Sequence, residues 1–237
     1  MPDPDLLRLY SKHDFFTPGG AETVDLICRQ IPLDDRSLVL DVAYGKGSGA
    51  IRIAAVTGAR VLGVDVHPVG RAASRAASAA GAGDRLAFVR GDGARLPVRD
   101  GGFDAAVCVG APSIVGTERC LAAMRRAVRP GGMIGVSDWV WRETPVPAEA
   151  VPPTFDGAVL TLDGYAVAIR AAGFEVVLAE HLPQALWDRY YDLMREVVAE
   201  MRLEGDAGVT LPEEIRVYDR IGREWWRYGV FIARKPG

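Results

Sequence analysis

The sequence has few cysteines, and they form neither a metal-binding nor a disulfide pattern. Cys28, Cys108 and Cys120 lie too far apart for a CxxC motif, and three cysteines cannot all pair within one chain. We therefore expect reduced thiols in a cytoplasmic protein. The three histidines are isolated from one another and from the cysteines. No metal site is predicted, because zinc and related ions need several such ligands together.

Long apolar runs and an excess of basic charge are also missing. No run approaches the roughly 20 apolar residues of a membrane-spanning helix, and the first residues are too polar for a signal peptide. The 28 Lys and Arg residues are outnumbered by 31 Asp and Glu, which gives a net charge of -3. Proteins that bind nucleic acids need a basic surface to displace counterions. The sequence therefore predicts neither a membrane nor a nucleic-acid partner.

What the chain does have is a regular alternation of apolar runs and helical stretches. At 237 residues and 49% hydrophobic content, it is long enough for one substantial core. Stretches with helical spacing alternate with five short apolar runs, at residues 38–42, 60–66, 85–90, 103–109 and 133–139. This alternation with short turns is typical of a mainly parallel sheet covered by helices, an α/β fold.

The remaining segments extend this domain at both ends. Helical spacing is found at residues 21–31 and 162–172, and strands are predicted at 175–179 and 228–233. A longer helix is predicted from residue 184 to about 203, with a buried stripe of Leu186, Tyr190, Leu193, Val197 and Met201. This helix is the candidate for a cap over a substrate, and it could equally form a dimer surface.

A glycine-rich loop at residues 41–49 (DVAYGKGSG) joins the first buried strand to a helix. Glycine lets the backbone approach a ligand closely, and the helix N-terminus favours negative charge. Dinucleotide-binding enzymes use a similar loop, and a tight turn without any ligand is a further interpretation. Asp41 precedes the glycines, and its carboxylate would repel a diphosphate but attract a sulfonium or ammonium group. The loop therefore favours a cationic amino-acid ligand.

Two more carboxylates follow the next two strands. Asp65 ends the second strand, where a carboxylate can accept both hydroxyls of a ribose. Asp92 ends the third strand, where it could bind the amino edge of an adenine. Each aspartate alone also fits a turn or a loop cap. Three carboxylates at successive strand ends indicate a ligand site, because open α/β sheets bind ligands at that edge.

Several motifs resemble those of class I S-adenosylmethionine-dependent methyltransferases. Residues 40–47 (LDVAYGKG) resemble the first motif of this family, and residues 63–65 resemble its ribose-binding strand end. Further similar segments are residues 91–98 and 102–104 on the adenine side, 129–132 before strand five and 170–174 before strand six. The similarity is greatest to the broad type 11-like group that methylates small molecules, which includes quinone, sterol and glycine or sarcosine methyltransferases. One departure is Ala43, which stands where the family usually has its first glycine.

The resemblance implies a Rossmann-like, seven-stranded, mainly parallel sheet with strand order 3-2-1-4-5-7-6 and helices on both faces. We expect a single domain over residues 1–237. It would comprise an N-terminal helical lid (1–34), a cofactor-binding core (35–143) and substrate-side elements (144–237), with a helical cap at about 184–222 between strands six and seven. S-adenosylmethionine is the implied cofactor and S-adenosylhomocysteine the product. The partner would be a small-molecule methyl acceptor, and the protein would be a monomer or a homodimer.

The resemblance also implies a set of site residues. Those expected at the cofactor are Tyr10, Asp41, Ala43, Tyr44, Gly45, Gly47, Asp65, Val66, Asp92, Gly93 and Gly110. Those expected at the acceptor, near the ends of strands four and five, are Phe16, Ser113, Trp139 and Trp141. Asp138 is the candidate general base and His181 a weaker one, although either side chain could be structural.

Two other functions stay open at this point. A nicotinamide-dependent oxidoreductase could use the same sheet, but Asp41 and the absence of a Tyr-x-x-x-Lys pair after strands four and five disfavour it. A non-catalytic S-adenosylmethionine-binding protein is the other alternative, and Ala43 favours it slightly. Methyl transfer from a sulfonium depends largely on positioning and desolvation, so no catalytic triad is expected. The acceptor atom, whether nitrogen, oxygen, sulfur or carbon, is not predicted.

Overall fold

A seven-stranded sheet forms the centre of the protein. The computed structural model describes residues 14–15, 17–152, 159–203 and 211–237. The strands are β1 (Leu38–Val42), β2 (Arg60–Asp65), β3 (Leu86–Arg90), β4 (Phe103–Val109), β5 (Val128–Trp141), β6 (Glu175–His181) and β7 (Trp226–Arg234). Their order is β3-β2-β1-β4-β5-β7-β6. Only β7 runs antiparallel to its neighbours β5 and β6, so the predicted fold class is confirmed.

Helices cover both faces of the sheet. They are α1 (Ala21–Gln30), α2 (Ser48–Thr57), α3 (Gly70–Ala79), α4 (Pro112–Val115), α5 (Thr117–Ala127), α6 (Leu162–Ala171), α7 (Gln184–Leu203), α8 (Leu211–Val217) and α9 (Arg223–Trp225). Short 3-10 turns lie at Gly83–Arg85 and Ala148–Ala150, and a π-helical turn lies at Tyr218–Gly222.

Alternate residues of the central strands enter two separate hydrophobic cores. Val39 and Val107 pack with α1, α2 and α7, whereas Leu40 and Cys108 pack with α5 and α6. Parallel strands that are buried on both faces have continuous apolar sequences, which is why they could be predicted from the sequence. The same packing leaves their carboxyl ends together at one edge of the sheet.

Strand β5 begins earlier than the sequence predicted. Phe103 of β4 pairs with Val128, but the next paired residue of β4, Ala105, faces Met133. The intervening residues 129–132 form a bulge within the strand rather than a turn before it. Gly132 allows this, because a Cβ there would lie 2.9 Å from the carbonyl oxygens of both Arg129 and Asp104.

The cap helix α7 has two apolar stripes, not one. Its most deeply buried side chains are Trp187, Tyr191, Met194, Val197 and Val198. The predicted stripe was therefore wrong by one position: Val197 is buried, but Leu186, Tyr190 and Leu193 are only half-buried. Trp187 and Tyr191 face inward because they stack on each other and on Tyr218. The side chain of Met201 lies outside the described part of the chain.

No helix within the described ranges is long and apolar enough to cross a membrane. The same residues contain no cluster of three or more His, Cys, Asp or Glu side chains that could hold a metal ion. Cys28, Cys108 and Cys120 are all free and buried. Residues 1–13 of the expected lid, including Tyr10, lie outside the described ranges, as does Phe16.

Candidate functional site

Two adjoining cavities open at the carboxyl ends of β1, β2 and β4. The first, called here the Asp41 cavity, encloses about 700 Å³ of space that includes open solvent and reaches Thr17, Val109 and Gly110. The second, the Asp65 cavity, encloses about 1120 Å³, which also includes open solvent, and it reaches Asp92 and Gly93. Both cavities are lined by Ala43, Gly45, Lys46, Ala111 and Ile114. They therefore form one continuous cleft.

The glycine-rich loop forms the floor between the two cavities. Gly45 and Gly47 have positive φ angles of 54° and 85°, which glycine adopts without steric cost. The amide of Gly47 donates a hydrogen bond to the Tyr44 carbonyl at 2.8 Å, and α2 begins at the next residue. The expected strand–loop–helix arrangement is present, and Gly45 lines both cavities.

Ala43 is the single non-glycine residue with a left-handed backbone among those described, with φ at 59°. Its amide donates to the Val64 carbonyl at 2.8 Å, and this bond holds the loop against the end of β2. Alanine therefore adopts a backbone conformation that glycine usually occupies.

Substitutions at Ala43 should separate backbone strain from loss of the methyl group. We expect Ala43→Gly to change the free energy of unfolding by less than about 1 kcal/mol, because relief of strain offsets the added flexibility of the unfolded chain. Ala43→Val should destabilise the protein by about 1–3 kcal/mol, because a β-branched side chain disfavours positive φ. Urea denaturation of both variants measures this. Equal stability of the two variants would contradict the assigned backbone conformation.

The ring of Tyr44 lies beneath the loop. It is buried against Phe88, with ring centroids 4.8 Å apart, and a Cβ at Gly63 would lie 2.7 Å from it. Burial, followed by the charges of Asp65 and Asp41, raises the pKa of the Tyr44 hydroxyl to about 12. Tyr44 also lines the Asp41 cavity. Its ring supports the loop, and the glycine at position 63 makes room for it.

Asp41 is a buried carboxyl group in the wall of the cleft. It is 4% exposed and accepts a hydrogen bond from the backbone amide of Ala50. Burial, with a further contribution from the charge of Asp65, raises the pKa of Asp41 to about 7. A cationic group in the Asp41 cavity would offset both effects.

Asp65 holds two backbone segments at the other side of the loop. Its Oδ2 accepts a hydrogen bond from the Gly45 amide at 2.9 Å, and its Oδ1 accepts one from the His67 amide at 2.8 Å. A carboxylate oxygen can accept more than one hydrogen bond, so both oxygens retain the capacity to bind hydroxyl groups. Asp65 is buried and lines its cavity.

Asp92 and two apolar side chains complete the Asp65 cavity. Asp92 Oδ1 accepts a hydrogen bond from the Ala94 amide at 2.8 Å, whereas the described residues provide no partner for its other oxygen. Val66 is 54% exposed and Ile114 is 81% exposed, and both line this cavity. Exposed apolar side chains beside a carboxylate suit a flat ring with a polar edge. The sequence identified Val66 but missed Ile114, because α4 is too short to show a periodic pattern.

A contact between distant segments shapes the end of the Asp41 cavity. Gly110 has φ at 73°, and a Cβ there would lie 2.0 Å from Thr17 Cγ2 and 2.9 Å from the Tyr228 hydroxyl. The Ser137 hydroxyl donates to the Tyr228 hydroxyl at 3.3 Å. Glycine at 110 was predicted from sequence, but Thr17 and Tyr228 were missed because the contact depends on the position of β7.

The residues expected at the acceptor are placed differently. Asp138 is buried and accepts hydrogen bonds from the Ser113 amide (2.7 Å), the Ser113 hydroxyl (3.0 Å), the Trp139 amide (2.9 Å) and the Tyr165 hydroxyl (3.3 Å). Burial raises the pKa of Asp138 to about 6. Neither cavity has Asp138 or Ser113 among its described lining residues. Both side chains are committed to holding α4 at the end of β5.

The tryptophans and His181 also lie away from the cleft. Trp139 and Trp141 belong to a packed aromatic cluster, in which the Trp139 ring centroid is 4.6 Å from that of Trp226 and 5.5 Å from that of Trp141. His181 is exposed at the end of β6, which is the outermost strand of the sheet. The sequence placed these residues at the correct edge but could not show which of them reach the cleft.

Comparison with known proteins relates this cleft to a family. Residues 39–132 match the family described as "Methyltransferase domain". A sterol 24-C-methyltransferase of Gibberella zeae is 33% identical over 61% of this chain and 41% of that protein. The 27-O-demethylrifamycin SV methyltransferase of Amycolatopsis mediterranei is 30% identical over 68% of this chain and 62% of that protein. The chain therefore spans less than two thirds of the length of these curated relatives.

Solved structures match over nearly the whole chain. A S-adenosylmethionine-dependent methyltransferase from Thiobacillus denitrificans, in complex with S-adenosylhomocysteine, is 27% identical with a TM-score of 0.78, covering 98% of this chain and 99% of that one. The [4+2]-cyclase SpnF is 26% identical with a TM-score of 0.80, covering 91% and 80% of the two chains. These similarities agree with the sequence motifs, with the strand order and with the carboxylates of the cleft. Residues 39–132 therefore match a methyltransferase domain, and the chain has the fold of the class I S-adenosylmethionine-dependent methyltransferases.

Proposed function

We propose that this protein transfers the methyl group of S-adenosylmethionine to a small-molecule acceptor. The observation that carries the proposal is the continuous cleft with Asp41 and Asp65 buried in its walls and Asp92 at its rim. A carboxyl group whose pKa is raised to about 7 by burial is costly to ionise unless a cation binds beside it. The cofactor carries such a charge, so the residues present fit it.

Each part of the cofactor has a matching group in the cleft. Asp65 would accept hydrogen bonds from the ribose hydroxyls, and the second oxygen of Asp92 would accept one from the adenine amino group. Val66 and Ile114 would cover the faces of the adenine ring. Asp41 would balance the positive charge of the methionine end. The further cofactor residues expected from sequence, Tyr44, Gly45, Gly47, Gly93 and Gly110, would shape the backbone around it.

In this proposal, the protein promotes methyl transfer by positioning the two reactants and by excluding water. The bound cofactor supplies a methyl group on a positively charged sulfur. Held by Asp41 and Asp65, the cofactor would supply this methyl group to a nucleophilic atom of the acceptor, and S-adenosylhomocysteine would be left as the product. Ile53, Val107 and Val109 line the Asp41 cavity with apolar surface, which restricts water near the reacting atoms. Any proton released by the acceptor passes to solvent.

Ligand titration and product assay test the proposal. Calorimetric titration of the purified protein should detect binding of S-adenosylmethionine and S-adenosylhomocysteine but not of NADH. Binding of NADH alone would instead support an oxidoreductase. The similarity to a [4+2]-cyclase is a specific reason to keep a function without transfer as the second candidate. Cofactor binding without release of S-adenosylhomocysteine on any of a panel of phenol, amine, thiol and carbon acceptors would favour it.

We further propose that Asp138 is a positioning residue and not a general base. Asp138→Asn places an amide N–H group against the backbone and hydroxyl donors that the carboxylate accepts. We expect lower thermal stability and parallel losses of cofactor affinity and kcat, with the pH profile of kcat unchanged in shape. A general base would show itself differently: only kcat would fall in Asp138→Asn, and kcat would decline below about pH 6 in the wild-type protein but not in the variant.

Domain boundaries and location complete the proposal. We propose a single methyltransferase domain over residues 1–237, since the described elements all pack around one sheet. Three free, buried cysteines support a reducing, cytoplasmic location. Monomer and homodimer are equally compatible with this proposal.

A further inference from the structure

We propose that the methyl acceptor binds in a groove between residues 14–15 and 17–22 on one side and helix α7 on the other, and that it is an uncharged molecule with an apolar body. The inference rests on the proposed methyl transfer and adds the site and chemical class of the acceptor. Of the four residues that the sequence placed at the acceptor, Phe16 lies outside the described ranges. The other three, Ser113, Trp139 and Trp141, make internal contacts.

The groove is continuous with the cofactor cleft. Asp14, Phe15 and Thr17 line both the groove and the Asp41 cavity. Thr17 also contacts the site of Gly110, at the end of β4. A molecule lying in the groove can therefore extend past Thr17 into the Asp41 cavity, where the reactive methyl group would be held.

The groove explains the second apolar stripe of α7. Leu186, Tyr190 and Leu193 are spaced at i, i+4 and i+7 and line the groove opposite Phe15. All four side chains are half-buried, whereas the adjacent stripe of the same helix supplies the core. A half-buried apolar wall beside a reactive cleft is suited to an apolar ligand body.

The charges around the groove disfavour an anionic acceptor. Arg189 is ion-paired with Glu22 at one side of the groove. Lys46, at the cofactor side, faces Asp14 with 3.9 Å between Nζ and Oδ1. Both cations beside this path therefore already face a carboxylate. A carboxylate or phosphate on the acceptor would meet Asp14 and Glu22 without a spare cation among the described lining residues.

Two probes with the same apolar body test the inference. We would measure binding of 2-naphthol and 2-naphthoate at pH 7.5 to the protein loaded with S-adenosylhomocysteine, by saturation-transfer NMR. The neutral probe should bind at least about fivefold more tightly, since burying an unpaired carboxylate is costly. Leu193→Asp should weaken 2-naphthol binding by about tenfold or more, and Leu193→Ala by about threefold. Affinity for S-adenosylhomocysteine should stay unchanged in both variants.

A matched control and the contrary outcomes make the test decisive. Val167→Asp places the same charge on an exposed apolar position of α6, outside the groove, and should leave 2-naphthol binding unchanged. Equal binding of the two probes, or no binding of 2-naphthol, would overturn the inference. So would wild-type affinity for 2-naphthol in both Leu193 variants. Failure of the wild-type protein to bind S-adenosylhomocysteine would instead overturn the proposed function, and the acceptor groove with it.

Discussion

Asp41→Asn should make the ligand-free protein more stable and the cofactor complex weaker. At pH 8 we expect the affinity for S-adenosylmethionine to fall roughly 10- to 100-fold, the value of a lost charge-assisted interaction. The melting temperature of the ligand-free variant should rise by roughly 5 °C or more, because a buried charge near Asp65 is removed. Asparagine can still accept the hydrogen bond from the Ala50 amide. Calorimetric titration and thermal unfolding measure the two opposite effects.

The pH dependence of stability follows from the direction of the pKa shift. The pKa of Asp41 rises from 3.8 to about 7 on folding. Between these values the folded state binds more protons than the unfolded state, so the free energy of unfolding falls as pH rises. Well above pH 7, the ionised Asp41 therefore lowers the free energy of unfolding by roughly 4 kcal/mol. The stability gain of Asp41→Asn should therefore be present at pH 8 and absent at pH 4.

Cofactor binding should show the complementary pH dependence. Wild-type affinity for S-adenosylmethionine should increase as pH rises through about 7, because the cation binds the ionised carboxylate, whereas Asp41→Asn should lack this step. Asp14→Asn is the matched control, since Asp14 lines the same cavity but is exposed. If Asp14→Asn produced the same loss of affinity, the special role of the buried carboxylate would be contradicted.

Asp65→Ala should produce the largest loss of cofactor affinity. The variant removes the acceptor for two ribose hydroxyls and also releases the Gly45 and His67 amides that shape the cleft. Two hydrogen bonds to a charged group are together worth about 3–6 kcal/mol, so we expect at least about a 100-fold loss. Asp65→Asn keeps one carbonyl oxygen and should lose less. Titration with S-adenosylhomocysteine measures both variants.

Binding of adenosine, a fragment of the cofactor, tests whether the affinity lost in Asp65→Ala comes from contacts with the ribose. Adenosine should bind the wild-type protein but not Asp65→Ala, whereas the effect of Asp41→Asn on adenosine should be small. Asp92→Ala is a control at the same cavity. We expect it to lose less affinity for adenosine, because Asp92 is exposed and water screens its interactions. Unchanged affinity of Asp65→Ala for adenosine would remove Asp65 from the ribose site.

Local sequence was sufficient to predict the sheet and the acidic edge of the cleft. Apolar runs such as residues 38–42 are buried on both faces, so their pattern does not depend on distant contacts. Asp41, Asp65 and Asp92 could then be located because each stands at the end of such a run. Parallel strands bring their carboxyl ends to one edge whatever the details of packing.

Contacts between distant segments could not be predicted in the same way. Asp138 has the sequence position of a catalytic base, but its hydrogen bonds with Ser113 and Tyr165 exist only after α4 and α6 have packed. Thr17 and Tyr228 meet at Gly110 because β7 runs back antiparallel beside β5. Hydrogen-bond saturation and steric contact are properties of assembled elements, and no single segment encodes them.

Helix α7 also combines features that the sequence predicts with a feature that only tertiary packing decides. The sequence by itself determined that α7 is helical and rich in apolar residues, because that depends on spacing alone. Two adjacent stripes satisfy helical spacing equally well, and only the stacking of Trp187 and Tyr191 on Tyr218 decided which one is buried. The tertiary structure thereby left Leu186, Tyr190 and Leu193 beside the cleft, because a stripe with two large aromatic rings, Trp187 and Tyr191, can bury more surface than a stripe with one.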